Sequence, residues 1–319
     1  SGLLFHVVDG SSQQFFRKKP RDQKIIAGQS TTIPCEIGNR HGSVQWTRDG
    51  LTLGFDRKLP GFSRYSVSGK EINGQFNLEI VNATLNDDAT FECQVGPADG
   101  NSPIRARAKL DVLLPPKRIE ITGLDSGSRI IIRENEEVEL KCVVFEAKPK
   151  ATIIWYRENS KFFTESRIDE DTIGEDAEHR VTSISSIRIR PTQKDNHVTW
   201  ACEAVHPALK NAPMRASVLL SVQHPPGRPE ITGYIEGETI RVAQSVTLIC
   251  TSRGGNPLAD VIWYRNGELA DKSYTSSGRE SRNTFTFIAE TDDDNARFRC
   301  EASNEFSAEP MDAEIVLSV

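Results

Sequence analysis

Six cysteines and three tryptophans recur with one rhythm along the chain, and that rhythm constrains the fold more than any other feature. The cysteines stand at 35, 93, 142, 202, 250 and 300, so sequential pairs lie 58, 60 and 50 residues apart, one pair in each third. Metal-binding cysteines stand two to five residues apart, and no two cysteines here do, so zinc is disfavoured. After the first cysteine of each pair comes Trp46, Trp155 or Trp263, at offsets of 11, 13 and 13. Two residues further on stand Arg48, Arg157 and Arg265. Before the second cysteine, the runs from Asp87 to Cys93 and from Asp294 to Cys300 share Asp-x-Ala-x-Phe-x-Cys, and the middle copy has Asn196 and Trp200 at matching offsets. Of the 15 pairings that six cysteines allow, this repeated context selects Cys35 with Cys93, Cys142 with Cys202, and Cys250 with Cys300. Disulfides point to an extracellular or secretory location.

Cysteine, tryptophan and cysteine at this spacing, among short alternating strands, form the signature of an immunoglobulin sandwich, in which the indole packs on an inter-sheet disulfide. The predicted fold is all-β: three tandem immunoglobulin-like β-sandwiches, V/I-set-like first and I-set/C2-like second and third, each with one disulfide. The joints are marked by Pro115-Pro116-Lys117-Arg118-Ile119-Glu120-Ile121-Thr122-Gly123 and Pro225-Pro226-Gly227-Arg228-Pro229-Glu230-Ile231-Thr232-Gly233, which share seven of nine residues. The expected division is a tail at 1–19, then domains at 20–114, 115–224 and 225–319. Paired prolines make stiff connections, so an extended rod is expected. Alternation places B strands at 138–142 and 246–250 and E strands at 75–81, 182–189 and 283–288. Asp49-Gly50 and Asn266-Gly267 are hairpin turn pairs after the C strands, with Glu158-Asn159 in the middle copy. The tyrosine usual near the start of strand F is replaced by Phe91, Trp200 and Phe298, so its hydrogen bond is lost in all three.

Charge excludes one class of partner. Lys and Arg against Asp and Glu number 14 to 12 in residues 1–114, 16 to 17 in 115–224 and 9 to 16 in 225–319, a balance of +2, −1 and −7. A nucleic-acid binder would show a basic domain, so nucleic acid is not expected as a partner. No apolar run approaches the roughly 18 residues of a membrane span. The chain opens on Ser1 and closes at Val319 within an alternating stretch, and is expected to be a fragment of a longer one. Catalytic motifs are missing: there is no HExxH, no GxSxG, no phosphate loop and no cysteine outside the three pairs, so neither an enzyme nor a cofactor is expected. Asp292-Asp293-Asp294 lacks the spacing of a calcium loop and reads as a solvated turn. The basic run from Arg17 to Arg21 reads as part of the tail. Asn82-Ala83-Thr84 is a glycosylation sequon at the end of an E strand, where a glycan would face water.

What remains is surface. With Trp46, Phe91, Cys93 and Val95 inward, the two-residue period puts Gln45, Thr47, Glu92, Gln94 and Gly96 on the outer face of strands C and F of the first domain, and Gln45 beside Gln94. Leu51 to Phe55 and Leu59 to Tyr65 add more apolar groups than one sandwich face needs. Leu53, Phe62 and Tyr65 either fill the core beneath the C′–D connection or join that face.

The string from Gln45 to Gly54, then Leu59 to Tyr65, then Asp87 to Gly96 with its closing Cys-Gln-Val-Gly, resembles the first domain of nephrin and its invertebrate relatives. Ala147-Lys148-Pro149, Cys202-Glu203-Ala204, Pro225-Pro226-Gly227, Arg253 to Ala259 and Cys300 to Asn304 extend the resemblance over roughly residues 20 to 319. Receptors of the Neph, Roughest and Kirre kind share the Gln-Trp and Leu-Gly strings. The resemblance implies a cell-surface adhesion receptor, a single-pass type I membrane protein whose membrane segment would follow Val319. Its first domain would bind that of a Neph-like receptor on an apposed cell through the C, C′, F and G face, serving synapse specification, myoblast fusion or filtration-slit assembly. Mapped on this sequence, the contact residues would be Gln45, Thr47, Leu53, Phe55 and Gln94, with Tyr65 in support. The glutamines would supply central hydrogen bonds, and Leu53 and Phe55 apolar contact. Homophilic adhesion and a receptor for a soluble ligand are the other readings.

Overall fold

The computed structural model describes residues 12–174, 180–210 and 212–319 and contains three β-sandwiches in sequence. The first is built from β1 (Phe15–Lys18), β2 (Gln23–Ile26), β3 (Thr31–Ile33), β4 (Glu36–Gly38), β5 (Val44–Arg48), β6 (Leu51–Gly54), β7 (Tyr65–Ser68), β8 (Asn77–Ile80), β9 (Ala89–Val95) and β10 (Ile104–Leu113). One sheet has the order β2-β10-β9-β5-β6, and it faces the sheet β3-β8-β7 and the ribbon β1-β4. Strands C, C′, F and G are therefore β5, β6, β9 and β10. Residues 15–18, which the sequence places in a tail, form β1 and pair with β4, while residues 1–11 of that stretch lie outside the described residues.

The three disulfides join Cys35 to Cys93, Cys142 to Cys202 and Cys250 to Cys300, with Cα separations of 6.5, 6.4 and 6.4 Å. In every domain the tryptophan is the direct cross-strand neighbour of the second cysteine: Trp46 opposite Cys93, Trp155 opposite Cys202, Trp263 opposite Cys300. Each indole is buried, and its N–H is satisfied by Phe76 O (2.7 Å), Ser185 Oγ (3.1 Å) or Asn283 O (3.4 Å). Phe91, Trp200 and Phe298 are buried as well, and the Trp200 N–H has no partner among the described residues. The lost tyrosine corner is thus replaced by aromatic packing, Phe91 against Tyr65 and Phe298 against Phe287.

The turn after each C strand uses one device three times. Asp49, Glu158 and Asn266 take positive φ, and each side-chain oxygen accepts an amide at the start of strand F, from Thr90 (2.9 Å), Thr199 (2.8 Å) and Arg297 (2.9 Å). Asp49-Gly50 and Asn266-Gly267 have both residues left-handed, as a tight hairpin requires.

Before strand F, a short 3-10 turn ends on a buried or half-buried aspartate whose Oδ2 accepts the amide three residues earlier. These are Asp87 from Thr84 (2.7 Å), Asp195 from Thr192 (2.9 Å) and Asp293 from Glu290 (2.9 Å). Asp87 therefore matches Asp293 rather than Asp294, because the later domains carry one extra left-handed residue, His197 or Asn295. Each aspartate meets an arginine: Arg64 in the first domain, Arg157 in the second (2.8 Å) and Arg265 in the third (2.6 Å). The acidic run at 292–294 is therefore not simply solvated, since Asp293 is buried on Arg265.

The chain exposes 18850 Å² for 35.5 kDa. One globule of that mass would expose roughly 13,000 Å², and three separate domains of a third the mass roughly 18,000 Å². The domains thus bury little against each other, and specific bonds hold their joints. Leu114 and Lys148 exchange backbone hydrogen bonds (2.7 and 2.9 Å), and Lys148 pairs with Asp88 at 3.0 Å. At the second joint Asn256 Nδ2 donates to Asn196 Oδ1 (3.2 Å), Ser221 Oγ (3.1 Å) and Val222 O (2.9 Å).

Burial alone would raise the Asp87 carboxyl, but hydrogen bonds from Arg64, the Thr84 amide and Tyr65 outweigh it and hold it below the ordinary aspartate value. The same opposition, won by Thr192 and Arg157, lowers Asp195. A carboxyl depressed on folding stabilises above its unfolded pKa, near 4, and loses that contribution as pH falls through the folded value. Calorimetric melting temperatures should accordingly fall between about pH 5 and pH 2. Asp87→Asn should remove part of that dependence and lower stability at pH 7 by about 2 kcal/mol. An unchanged acid profile in the variant would contradict the assignment.

Candidate functional site

The β9 sequence alternates strictly, with Ala89, Phe91, Cys93 and Val95 buried and Thr90, Glu92 and Gln94 on the outer side. Its registers with β5 and β10 arrange that side in rows: Gln45, Gln94 and Arg105 in one, Thr47, Glu92 and Arg107 in the next. Gln45 Nε2 donates to Gln94 Oε1 at 2.9 Å, and Gln94 Nε2 donates to Glu92 Oε1 at 2.6 Å. Gln45, Gln94 and Phe55 line one concavity of about 620 Å³, rimmed by Ser43, Pro97, Pro103, Ile104 and Arg105. Phe55 is 64% exposed at the end of β6. The rim loop is held by Gln14, whose Nε2 donates to Gly96 O (3.0 Å) and Ser102 O (2.8 Å) while its amide donates to Asn101 Oδ1 (2.8 Å).

Three of the six contact residues expected from the sequence thus come together, and three do not. Leu53 is 4% exposed and belongs to the core. The register between β5 and β6 shifts between Trp46, opposite Gly54, and Thr47, opposite Thr52, and leaves Leu53 as the extra residue of a bulge. Thr52 faces outward with Thr47, so Leu53 turns inward, and the bulge then sets Gly54 opposite Trp46 and carries Phe55 to the outer face beside Gln45. Tyr65 is buried in the opposite sheet, stacked on Phe62 with centroids 5.6 Å apart, and its hydroxyl donates to Asp87. Burial, then Asp87, pushes that hydroxyl's pKa well up. Thr47 is on the outer face but only 3% exposed, a short side chain between Glu92 and Thr52. Asn82 is exposed at the end of β8, and its side-chain amide has no hydrogen-bond partner among the described residues.

Sequence reasoning did not single out Arg105 or Glu92 as acting in the site. The signal was present in Ile104-Arg105-Ala106-Arg107-Ala108-Lys109-Leu110, whose strict alternation lines one side of β10 with cations. No helix among the described residues is long and apolar enough to cross a membrane.

Family models agree with the three sandwiches: an immunoglobulin V-set domain over residues 18–113, a CD80-like C2-set immunoglobulin domain over 120–212 and an immunoglobulin domain over 228–304. Human nephrin is 33% identical across the whole chain, which covers 26% of nephrin. Rat Kin of IRRE-like protein 1 is 35% identical over 88% of the chain and 34% of its own length. The crystal structure of Rst D1-D2 is 33% identical, is matched over its full length by 66% of the chain, and superposes with a TM-score of 0.60. The chain belongs to the nephrin and Kin of IRRE-like family of immunoglobulin-superfamily proteins. The chain spans about a quarter to a third of the length of the curated relatives it matches.

Within the family's first domain, the bulge divides two neighbouring apolar residues between core and surface. Leu53→Ala should lower stability by about 2–4 kcal/mol, whereas Phe55→Ala should leave it within about 0.5 kcal/mol. Thermal melts of the two variants check this, and equal losses would contradict the register.

Proposed function

We propose that the chain is the amino-terminal part of a cell-surface adhesion receptor that binds, in trans and heterophilically, the first domain of a Neph-like immunoglobulin receptor on an apposed cell. The contact is the outer face of β5, β6, β9 and β10, and the process is cell–cell recognition of the kind that specifies synapses, joins myoblasts or assembles filtration slits. The observation that carries this reading is the Gln45–Gln94 hydrogen bond at 2.9 Å on the floor of a concavity flanked by exposed Phe55. A polar centre with an apolar flank is the anatomy of a specific interface, because a partner that leaves the amides unpaired pays their desolvation. Membership of the nephrin and Kin of IRRE-like family supports the choice of partner. The domain division at 114/115 and 224/225 and a glycan on Asn82 belong to the same proposal.

The full chain should bind a Neph-like ectodomain from the same organism in surface plasmon resonance and should not bind itself. Gln45→Ala and Gln94→Ala should each weaken binding by about fivefold or more with melting temperature unchanged. Self-binding alone would replace the reading with homophilic adhesion. Unchanged affinity in both variants would move the site to the second or third domain.

A further inference from the structure

The amides of the face form a relay whose direction is not free. A carboxylate only accepts hydrogen bonds, so Glu92, 2.6 Å from Gln94, requires the Gln94 NH2 group to point at it. The Gln94 carbonyl oxygen must then face Gln45, and Gln45 must turn its own NH2 group toward Gln94, at 2.9 Å. Gln94 has both ends engaged within the domain, and the carbonyl oxygen of Gln45 is left outward. Glu92 is itself held in place by Arg107, at 3.7 Å across to β10. Lys109, further along β10, is paired with Asp111 at 2.7 Å. Arg105 differs from both. It is exposed, stands directly opposite Gln94 in the register, lines the same concavity, and has no hydrogen-bond, ion-pair or ring partner among the described residues.

We infer that Glu92 sets the direction of the relay, and that the outward oxygen of Gln45 together with the unpaired guanidinium of Arg105 reads a partner face presenting a carboxylate beside a hydrogen-bond donor. Glu92 is a positioning residue, acting through Gln94. Arg105 is the specificity-determining charge, since a guanidinium meeting a carboxylate makes paired, charge-assisted hydrogen bonds that a neutral partner cannot match. The inference rests on the trans-binding reading of this face and adds the chemistry of what it accepts.

The test measures binding of the full chain to the same Neph-like ectodomain at low and high salt. Arg105→Glu should weaken binding about tenfold or more and remove most of its salt dependence, while Arg129→Glu, the same charge change in the second domain, leaves both unchanged. Gln45→Glu places an acceptor against the Gln94 oxygen and should weaken binding by about tenfold. Adding Glu92→Gln lets the relay reverse, with position 92 now able to donate, and should restore most of that loss, a rescue that simple structural damage would not give. If wild type binds and Arg105→Glu binds equally well, or the double variant is no better than Gln45→Glu alone, the inference falls while the adhesion reading stands. If wild type does not bind the ectodomain, both fall.

Discussion

The placement of each tryptophan beside the second cysteine of its domain is the constraint on which the rest depends. An indole wedged against an inter-sheet disulfide, with its N–H tied to the opposite sheet, leaves strand C no freedom to slip along strand F. A slip of one residue would turn every side chain to the wrong face. With Trp46 opposite Cys93, Gln45 must lie opposite Gln94 and Thr47 opposite Glu92. The polar face is therefore a consequence of the core: the packing that stabilises the first domain also sets the outward side chains of β5 and β9 at hydrogen-bonding distance. Leu53 marks the limit of this control, because β6 is an edge strand and can absorb a bulge that the central strands cannot.

The same economy governs the joints. The residue that follows the aspartate turn accepts the amide of the strand leaving its domain: Asp88 from Val112 (3.2 Å), Asn196 from Val222 (3.0 Å) and Asp294 from Val319 (3.1 Å). In the first two domains that group also meets the residue before a proline of the next domain, Lys148 through an ion pair and Asn256 through an amide. One position thus closes its own sandwich and fixes where the next one begins. The two joints share this plan but differ in chemistry, the first ionic and the second neutral.

Much of this was legible in the sequence, for definite reasons. Cysteine and tryptophan spacing declares the sandwich because only one arrangement buries both, and the two-residue period then places Gln45 and Gln94 on one face. Phe55 came from the contacts that the resemblance implied, within a stretch whose apolar surplus the sequence shows. What escaped was local. Alternation cannot foresee a bulge, so Leu53 and Phe55, two residues apart, stood together among the contacts that the resemblance implied, whereas the bulge leaves Leu53 in the core and Phe55 outside. Composition cannot tell a solvated acidic turn from one in which Asp293 is buried on Arg265. Arg64 replaces Arg48 as the partner of Asp87, a choice between two arginines that only the placement of β7 decides. The segment before Pro20 was expected to be a tail because it precedes the first strand legible in the sequence, yet Gln14 anchors the loop that rims the concavity.

The central claim is that the first domain, through its Gln45–Gln94 face, is the part that meets the partner. Each domain carries large apolar side chains exposed enough to report contact, among them Phe55 at 64%, Phe163 at 78% and Leu269 at 58%. Hydroxyl-radical footprinting of the full chain with and without a Neph-like ectodomain compares the three within one sample. Protection of Phe55, with Phe163 and Leu269 oxidised as before, is the predicted result. Protection of Phe163 or Leu269 with Phe55 unchanged would contradict it.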